Sequence, residues 1–131
     1  MSRVAIVGSR EWKFPAAVIS AVDDIPLDGT LVSGGARGVD TIAEQRANER
    51  GLRTDIYRAD WENLGKAAGM IRNLAIINNC DKLIAFWDGQ SKGTMDSVRR
   101  AKAAGIPYML VQQGEGTGFR VTIFDGKEVV Q

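Results

Sequence analysis

Several short segments of this sequence join glycines to cations and hydroxyls, the combination an anion-binding loop requires. In Gly34-Gly35-Ala36-Arg37-Gly38-Val39-Asp40, three glycines in five positions free the backbone to aim several N–H groups at one point. A helix starting there would add unpaired amides and the positive end of its dipole. Arg37 carries a fork of donors that can close over an anion. Asp40 would repel a phosphate; it suits a ribose hydroxyl, or a cap on the first helical turn. A second polar stretch runs from Trp87 to Thr94 and ends in Lys92-Gly93-Thr94, which can give an N–H and a hydroxyl to phosphate. Asp96 follows in the next turn, as a chemical group or as a dipole partner. A third segment, Gly8-Ser9-Arg10, closes an apolar run with a tight-turning glycine, a hydroxyl and a guanidinium. Arg72-Asn73 is polar inside an otherwise apolar stretch, and Trp61 either stacks on a base or anchors its loop. None of the segments is a Walker loop or a dinucleotide fingerprint, because Gly-Lys-Ser/Thr is missing and the glycine spacing differs.

The composition narrows the chemistry. The chain has no histidine, which removes histidine bases, Ser–His and Cys–His pairs and histidine metal ligands. Its single cysteine, Cys80, excludes an internal disulfide and reads as a small structural residue in a reducing compartment. Lys and Arg number 17 against 16 acids, so no broad basic field attracts nucleic acid. The start of the sequence enters a strand without a signal-type leader, and no apolar run reaches the about 18–20 residues of a membrane span. These features predict a soluble, cytoplasmic protein without a membrane partner.

The elements that must position these residues alternate. Short apolar runs at Arg3–Val7, Thr30–Ser33, Thr54–Tyr57, Lys82–Phe86 and Tyr108–Val111 read as strands. Between them lie helical patterns: Phe14, Val18, Ala21, Val22 and Ile25 after Pro15; Val39, Ile42, Ala43 and Ala47 before Gly51; Ala67, Met70, Ile71, Leu74 and Ile77; and Met95, Val98, Ala101 and Ala104 before Gly105. This order predicts an α/β class, a Rossmann-like parallel sheet with helices on both faces. Gly114 to Gly118 reads as a flexible connection. The tail, 119–131, reads as a C-terminal β-hairpin in which Phe119–Phe124 pairs with Lys127–Val130 around Asp125-Gly126. The 131 residues are expected to form a single domain. In such a sheet ligands bind beyond the carboxyl ends of the strands, where all the glycine segments fall.

Val-Gly-Ser-Arg, Ser-Gly-Gly-Ala-Arg-Gly-Val-Asp, Arg-Asn, and Gly-Thr before the last helix, in that order, resemble the SLOG superfamily and within it the small YspA-type, YpsA-related proteins. The resemblance covers roughly Arg3 to Val111 and leaves out the tail. It implies a nucleotide-binding domain that holds a nucleotide or a nucleotide-derived, ADP-ribose-like ligand as a sensor or sequestering module. Gly8, Ser9, Arg10, Gly34, Gly35, Arg37, Gly38, Asp40, Arg72, Asn73, Lys92, Gly93 and Thr94 are the ligand-binding candidates. Two alternatives follow from related branches. The LOG branch hydrolyses the N-glycosidic bond of nucleoside 5′-monophosphates with a helix arginine and a glutamate in Pro-Gly-Gly-x-Gly-Thr-x-x-Glu. Arg72 matches the arginine. Ser97 stands at the glutamate position, and Asp96, the catalytic substitute, lies one residue earlier, a turn of about 100° on a helix. The DprA branch binds single-stranded DNA, which the near-zero net charge disfavours here. The resemblance also implies a homodimer, with the apolar tail as a contact surface. No metal or cofactor is required; a polyphosphate ligand could bring a magnesium ion with it.

Overall fold

The computed structural model describes residues 2–114 and 118–126. Among these, the elements in chain order are β1 Arg3–Gly8, α1 Pro15–Asp23, β2 Thr30–Ser33, α2 Val39–Arg50, β3 Arg53–Ile56 and α3 Trp61–Leu64. A 3₁₀ turn at Gly65–Ala67 follows, then α4 Ala68–Asn78, β4 Lys82–Trp87, α5 Lys92–Ala104, β5 Tyr108–Gln113 and β6 Phe119–Phe124. The strands form one sheet in the order β3-β2-β1-β4-β5-β6. The first five are parallel, and β6 runs antiparallel to β5.

The period-two alternation of the strands sorts their side chains between two cores. Val4 and Ile6 of β1, with Ile84 and Phe86 of β4, meet Val18 and Val22 of α1 and Val39, Ala43 and Ala47 of α2. Ala5 and Val7, with Leu83 and Ala85, meet Ile76 and Ile77 of α4 and Val98 and Ala101 of α5. Both faces of the central strands are therefore covered, as their unbroken apolar runs require. Cys80 is buried in the second core, where burial pushes its thiol up to about 11 and leaves it inert at neutral pH.

One expectation differs from the structure, and one falls partly outside the described residues. The fourth helix exists, but its inward face is not the expected stripe. Ala68, Asn73, Ile76 and Ile77 are buried, while Met70, Ile71 and Leu74 are 56%, 47% and 44% exposed. Apolar side chains lie on both sides of this helix, so periodicity alone could not choose. The choice falls to Asn73, whose amide finds acceptors on α5 and can be buried without loss. The tail strand Phe119–Phe124 forms and pairs antiparallel with β5, with Tyr108 opposite Phe124 and Gln113 opposite Phe119. The C-terminal hairpin is thus β5–β6, and the strand expected over Lys127–Val130 lies outside the described residues.

Candidate functional site

The sheet order reverses at β1. The chain leaves β1 for β2 and β3 on one side and returns to β4 on the other. The loops after β1 and β4 diverge at that point and leave a crevice over the strand ends. A cleft of about 680 Å³ opens there. Gly8 and Arg10 come to it from the β1 loop, Ala36 and Asp40 from the start of α2, Arg72 and Asn73 from α4, and Lys92, Gly93, Thr94 and Asp96 from α5.

Ser9 does not line the cleft. It is buried beneath it, its amide donating to the Phe86 carbonyl at 2.9 Å and its hydroxyl accepting from the Asp88 amide at 3.0 Å. Ser9 thereby ties the β1 loop to the β4 loop. The β2 loop closes against the same segment at Gly38. Its φ is +77°, and a Cβ there would fall 2.7 Å from the Arg10 Cα and carbonyl oxygen. Glycine is required by both the torsion and the space.

Asp40 occupies the glycine loop. Its Oδ2 accepts from the Ala36 amide at 3.1 Å, and its Oδ1 is buried with no hydrogen-bond partner among the described residues. Burial pushes this carboxyl up to about 6, although the Ala36 amide and the Arg72 charge oppose the rise. Beneath it, Ser33 Oγ donates to Glu44 Oε2 at 2.6 Å. The anion held by the glycine segment is therefore the protein's own side chain. Gly34 is buried, Gly35 and Gly38 are structural corners, and Arg37 is exposed; none of the four lines the cleft.

Arg72 and Asn73 bridge the two loops. Arg72 Nη1 donates to the Gly34 carbonyl at 2.9 Å and its Nε donates to Asn73 Oδ1 at 2.9 Å. Asn73 Nδ2 donates onward to the Gly93 carbonyl at 3.3 Å and to Asp96 Oδ2 at 3.1 Å. Asp96 also accepts from Arg100 Nε at 2.9 Å. Burial raises its pKa, but the hydrogen bonds from Arg100 and Asn73 outweigh that and hold the carboxylate below its ordinary value. Ser97 is buried, its hydroxyl donating to the Gly93 carbonyl at 3.4 Å.

The α5 N-terminus is built by two residues that sequence reasoning left out of the site. Ser91 caps it, its Oγ accepting from the Thr94 amide at 3.3 Å. Asp88 Oδ1 accepts from the Gln90 and Ser91 amides, both at 2.9 Å, and so fixes the approach. The signal was present as Ser-x-x-Thr after Asp-Gly. The amides of Lys92 and Gly93 have no acceptor among the described residues. Trp61, Lys66 and Met70 also line the cleft, from α3 and the start of α4.

A doubly wound sheet with a cleft at its switch point defines the fold class as Rossmann-like. Residues 2–64 match the family model of YspA, cpYpsA-related SLOG proteins. The chain is 41% identical over 119 residues to the Gene 61 protein of Mycobacterium phage D29, covering 83% of this chain and 95% of that protein. This chain belongs to the YspA, cpYpsA-related SLOG family. Among solved structures it is similar to DNA processing protein A (DprA) of Streptococcus pneumoniae, with a TM-score of 0.73 and 21% identity over 84% of this chain. It spans 50% of the length of that protein. DprA of Helicobacter pylori, described for its single-stranded DNA binding mode, matches with a TM-score of 0.67 and 23% identity, over 88% of this chain and 67% of that one. The protein TM1055 matches with 0.66 and 20%, over 90% and 76%. These three likenesses are of fold. Among the described residues no helix is long and apolar enough to cross a membrane.

Proposed function

We propose that this protein binds a nucleotide or a nucleotide-derived, ADP-ribose-like ligand in the cleft above β1 and β4 and holds it intact, as a sensor or sequestering module. The observation that carries this reading is one cleft offering two complementary demands. At one end are the α5 N-terminus with Lys92 and Gly93, and Arg10 from the β1 loop; Thr94 lines it too, but its amide and hydroxyl donate to Ser91 Oγ at 3.3 and 2.9 Å. At the other is Asp40, whose Oδ1 is a buried acceptor without a partner among the described residues. The first suits a phosphate. The second is relieved by a hydroxyl, because a buried acceptor left unpaired costs about 1–3 kcal/mol. A sugar phosphate satisfies both, and the family makes a nucleotide the expected form of it.

Holding is favoured over cleavage by the state of Asp96. Its Oδ2 accepts from both Asn73 and Arg100, and its lowered pKa makes it a weak proton acceptor. A small ligand is favoured over a DNA strand by the net charge of +1. Self-association through β6 accords with Phe119, Val121 and Ile123, which are exposed along an edge strand.

Native mass spectrometry of the protein with nucleoside mono-, di- and triphosphates, ADP-ribose and cyclic nucleotides tests the proposal. It is run with and without magnesium, and the supernatant is assayed for free base. Retention of an intact ligand, lost in Asp40→Asn, is the expected result. Release of base would move the protein to the hydrolases. Binding of an oligonucleotide with none of the small ligands retained would overturn the reading. The same spectra give the protomer count, and a monomer at micromolar concentration would remove the β6 contact.

A further inference from the structure

Trp61 is an indole left in solvent at the wall of a cleft. It opens α3 behind the Asp60 cap, whose carboxylate accepts from the Asn63 amide at 3.2 Å and from Asn63 Nδ2 at 3.0 Å. Every residue from Asp60 to Ala67 is exposed, so α3 and the following turn form a flap rather than a core element. Trp61 is 54% exposed and lines the cleft beside Lys66 and Met70. A tryptophan placed there for packing would hide its ring. The six-membered edge of the Trp61 ring lies against Gly69 in the first turn of α4. A Cβ at Gly69 would stand 3.2 Å from Trp61 Cη2, closer than the ring could accept without moving. Gly69 therefore supplies the space that lets the indole lie along α4 toward the cleft.

We infer that Trp61 is the base platform of this cleft, stacking on the nucleobase of a ligand whose phosphate sits at the α5 N-terminus. This rests on the nucleotide reading above and narrows it to ligands that carry an aromatic base. The spacing agrees. Asn73 touches the start of α5, and Gly69 precedes Asn73 by four residues, about 6 Å along the helix axis. A ribose fits between those two stations, with Asp40 as the acceptor for its hydroxyl. Met70, exposed beside the ring, adds a polarizable side chain to the same wall. Stacking tolerates any base, so the platform sets the ligand class and not the base identity.

The test compares two probes, AMP and ribose 5-phosphate, by calorimetric titration of the wild-type protein, Trp61→Ala and Trp61→Phe. Trp61→Ala is expected to weaken AMP about tenfold or more, the scale of one base–aromatic stack, and to leave ribose 5-phosphate within about twofold. Trp61→Phe keeps most of the AMP affinity because it keeps a ring. An equal loss for both probes, or no loss for either, overturns the platform while leaving the nucleotide reading intact. A change in solution mass without a change in the AMP to ribose 5-phosphate ratio makes Trp61 an interface residue and also overturns it. If wild-type protein binds neither probe and none of the other nucleotides tried, the underlying reading fails and the platform falls with it.

Discussion

Replacing Asp40 by Asn is expected to stabilise the unliganded protein at neutral pH and to weaken the ligand. The carboxyl is 4% exposed, and burial lifts it from an ordinary 3.8 to about 6. Between these values the folded chain holds a proton that the unfolded chain has released. Stability must therefore fall as pH rises through that window, and above it the full cost remains. Its magnitude is about 3 kcal/mol, at 1.36 kcal/mol for each tenfold change in proton affinity. Asparagine can keep the bond from the Ala36 amide through its carbonyl oxygen. It leaves a buried NH₂ in place of Oδ1, which returns about 1–3 kcal/mol of that gain. The net rise in stability at pH 8 is then on the order of 1 kcal/mol. The pH slope is the cleaner quantity, because the NH₂ cost is independent of pH. Urea denaturation of wild type and Asp40→Asn at intervals from pH 4 to 8 gives a difference curve. That curve is expected to rise by about 3 kcal/mol in favour of the variant, mostly between pH 4 and 6. Asp23, Asp55, Asp88 and Asp96, which lie below their ordinary values, act in the opposite sense but cancel in the difference. A flat or falling difference curve would refute the claim that Asp40 is held at a cost.

Arg72→Met removes the donor to Gly34 and the cation beside Asp40; it should lower stability at pH 8 by about 2 kcal/mol and less at pH 4, where Asp40 is neutral. Equal losses at both pH values would separate Arg72 from Asp40. Gly38→Ala forces a side chain into φ +77° and onto the Arg10 backbone, a loss of about 3 kcal/mol or more measured by thermal unfolding; an unchanged Tm would remove the close approach of the β1 and β2 loops. Ser91→Ala loses the α5 cap, about 1 kcal/mol, and should weaken a phosphate-bearing ligand in the same titration. Ligand affinity unchanged in this variant would place the phosphate elsewhere.

The alternation of elements and the parallel sheet were legible because they follow from local patterns. Five apolar runs separated by helices leave few right-handed arrangements, and each glycine segment follows a strand. Individual roles were less legible where they depend on a partner distant in sequence. Nothing near Ser9 says that its hydroxyl accepts from the Asp88 amide, 79 positions away. Nothing near Met70, Ile71 and Leu74 says that Asn73 turns that face outward, because the acceptors that make Asn73 burial tolerable lie on α5. Phe119–Phe124 was legible as a strand, but nothing local to it says that β5 pairs with it.

The glycine segment after β2 shows why such a loop does not by itself identify a phosphate site. Three glycines and a helix start were read as a nest for a ligand anion, and in the folded chain Asp40 supplies the anion. A phosphate placed beside that carboxylate would meet a charge already in possession of the Ala36 amide. The α5 start is capped by a neutral serine, Asp88 accepts from the Gln90 and Ser91 amides just before it, and Asp96 is turned to Asn73 and Arg100. The two loops differ in what they offer: a buried carboxylate after β2 and a helix start after β4. Arg72-Asn73 spans the distance between them, with Gly34 at one end and Gly93 at the other. Under the proposed function this difference would direct a ligand's phosphate toward α5 and its hydroxyls toward Asp40. It also separates Arg72 from direct recognition. With one Nη and Nε committed to the protein, its first role is to hold the two loops at a fixed separation, and a change at Arg72 should alter affinity for phosphate and sugar parts alike.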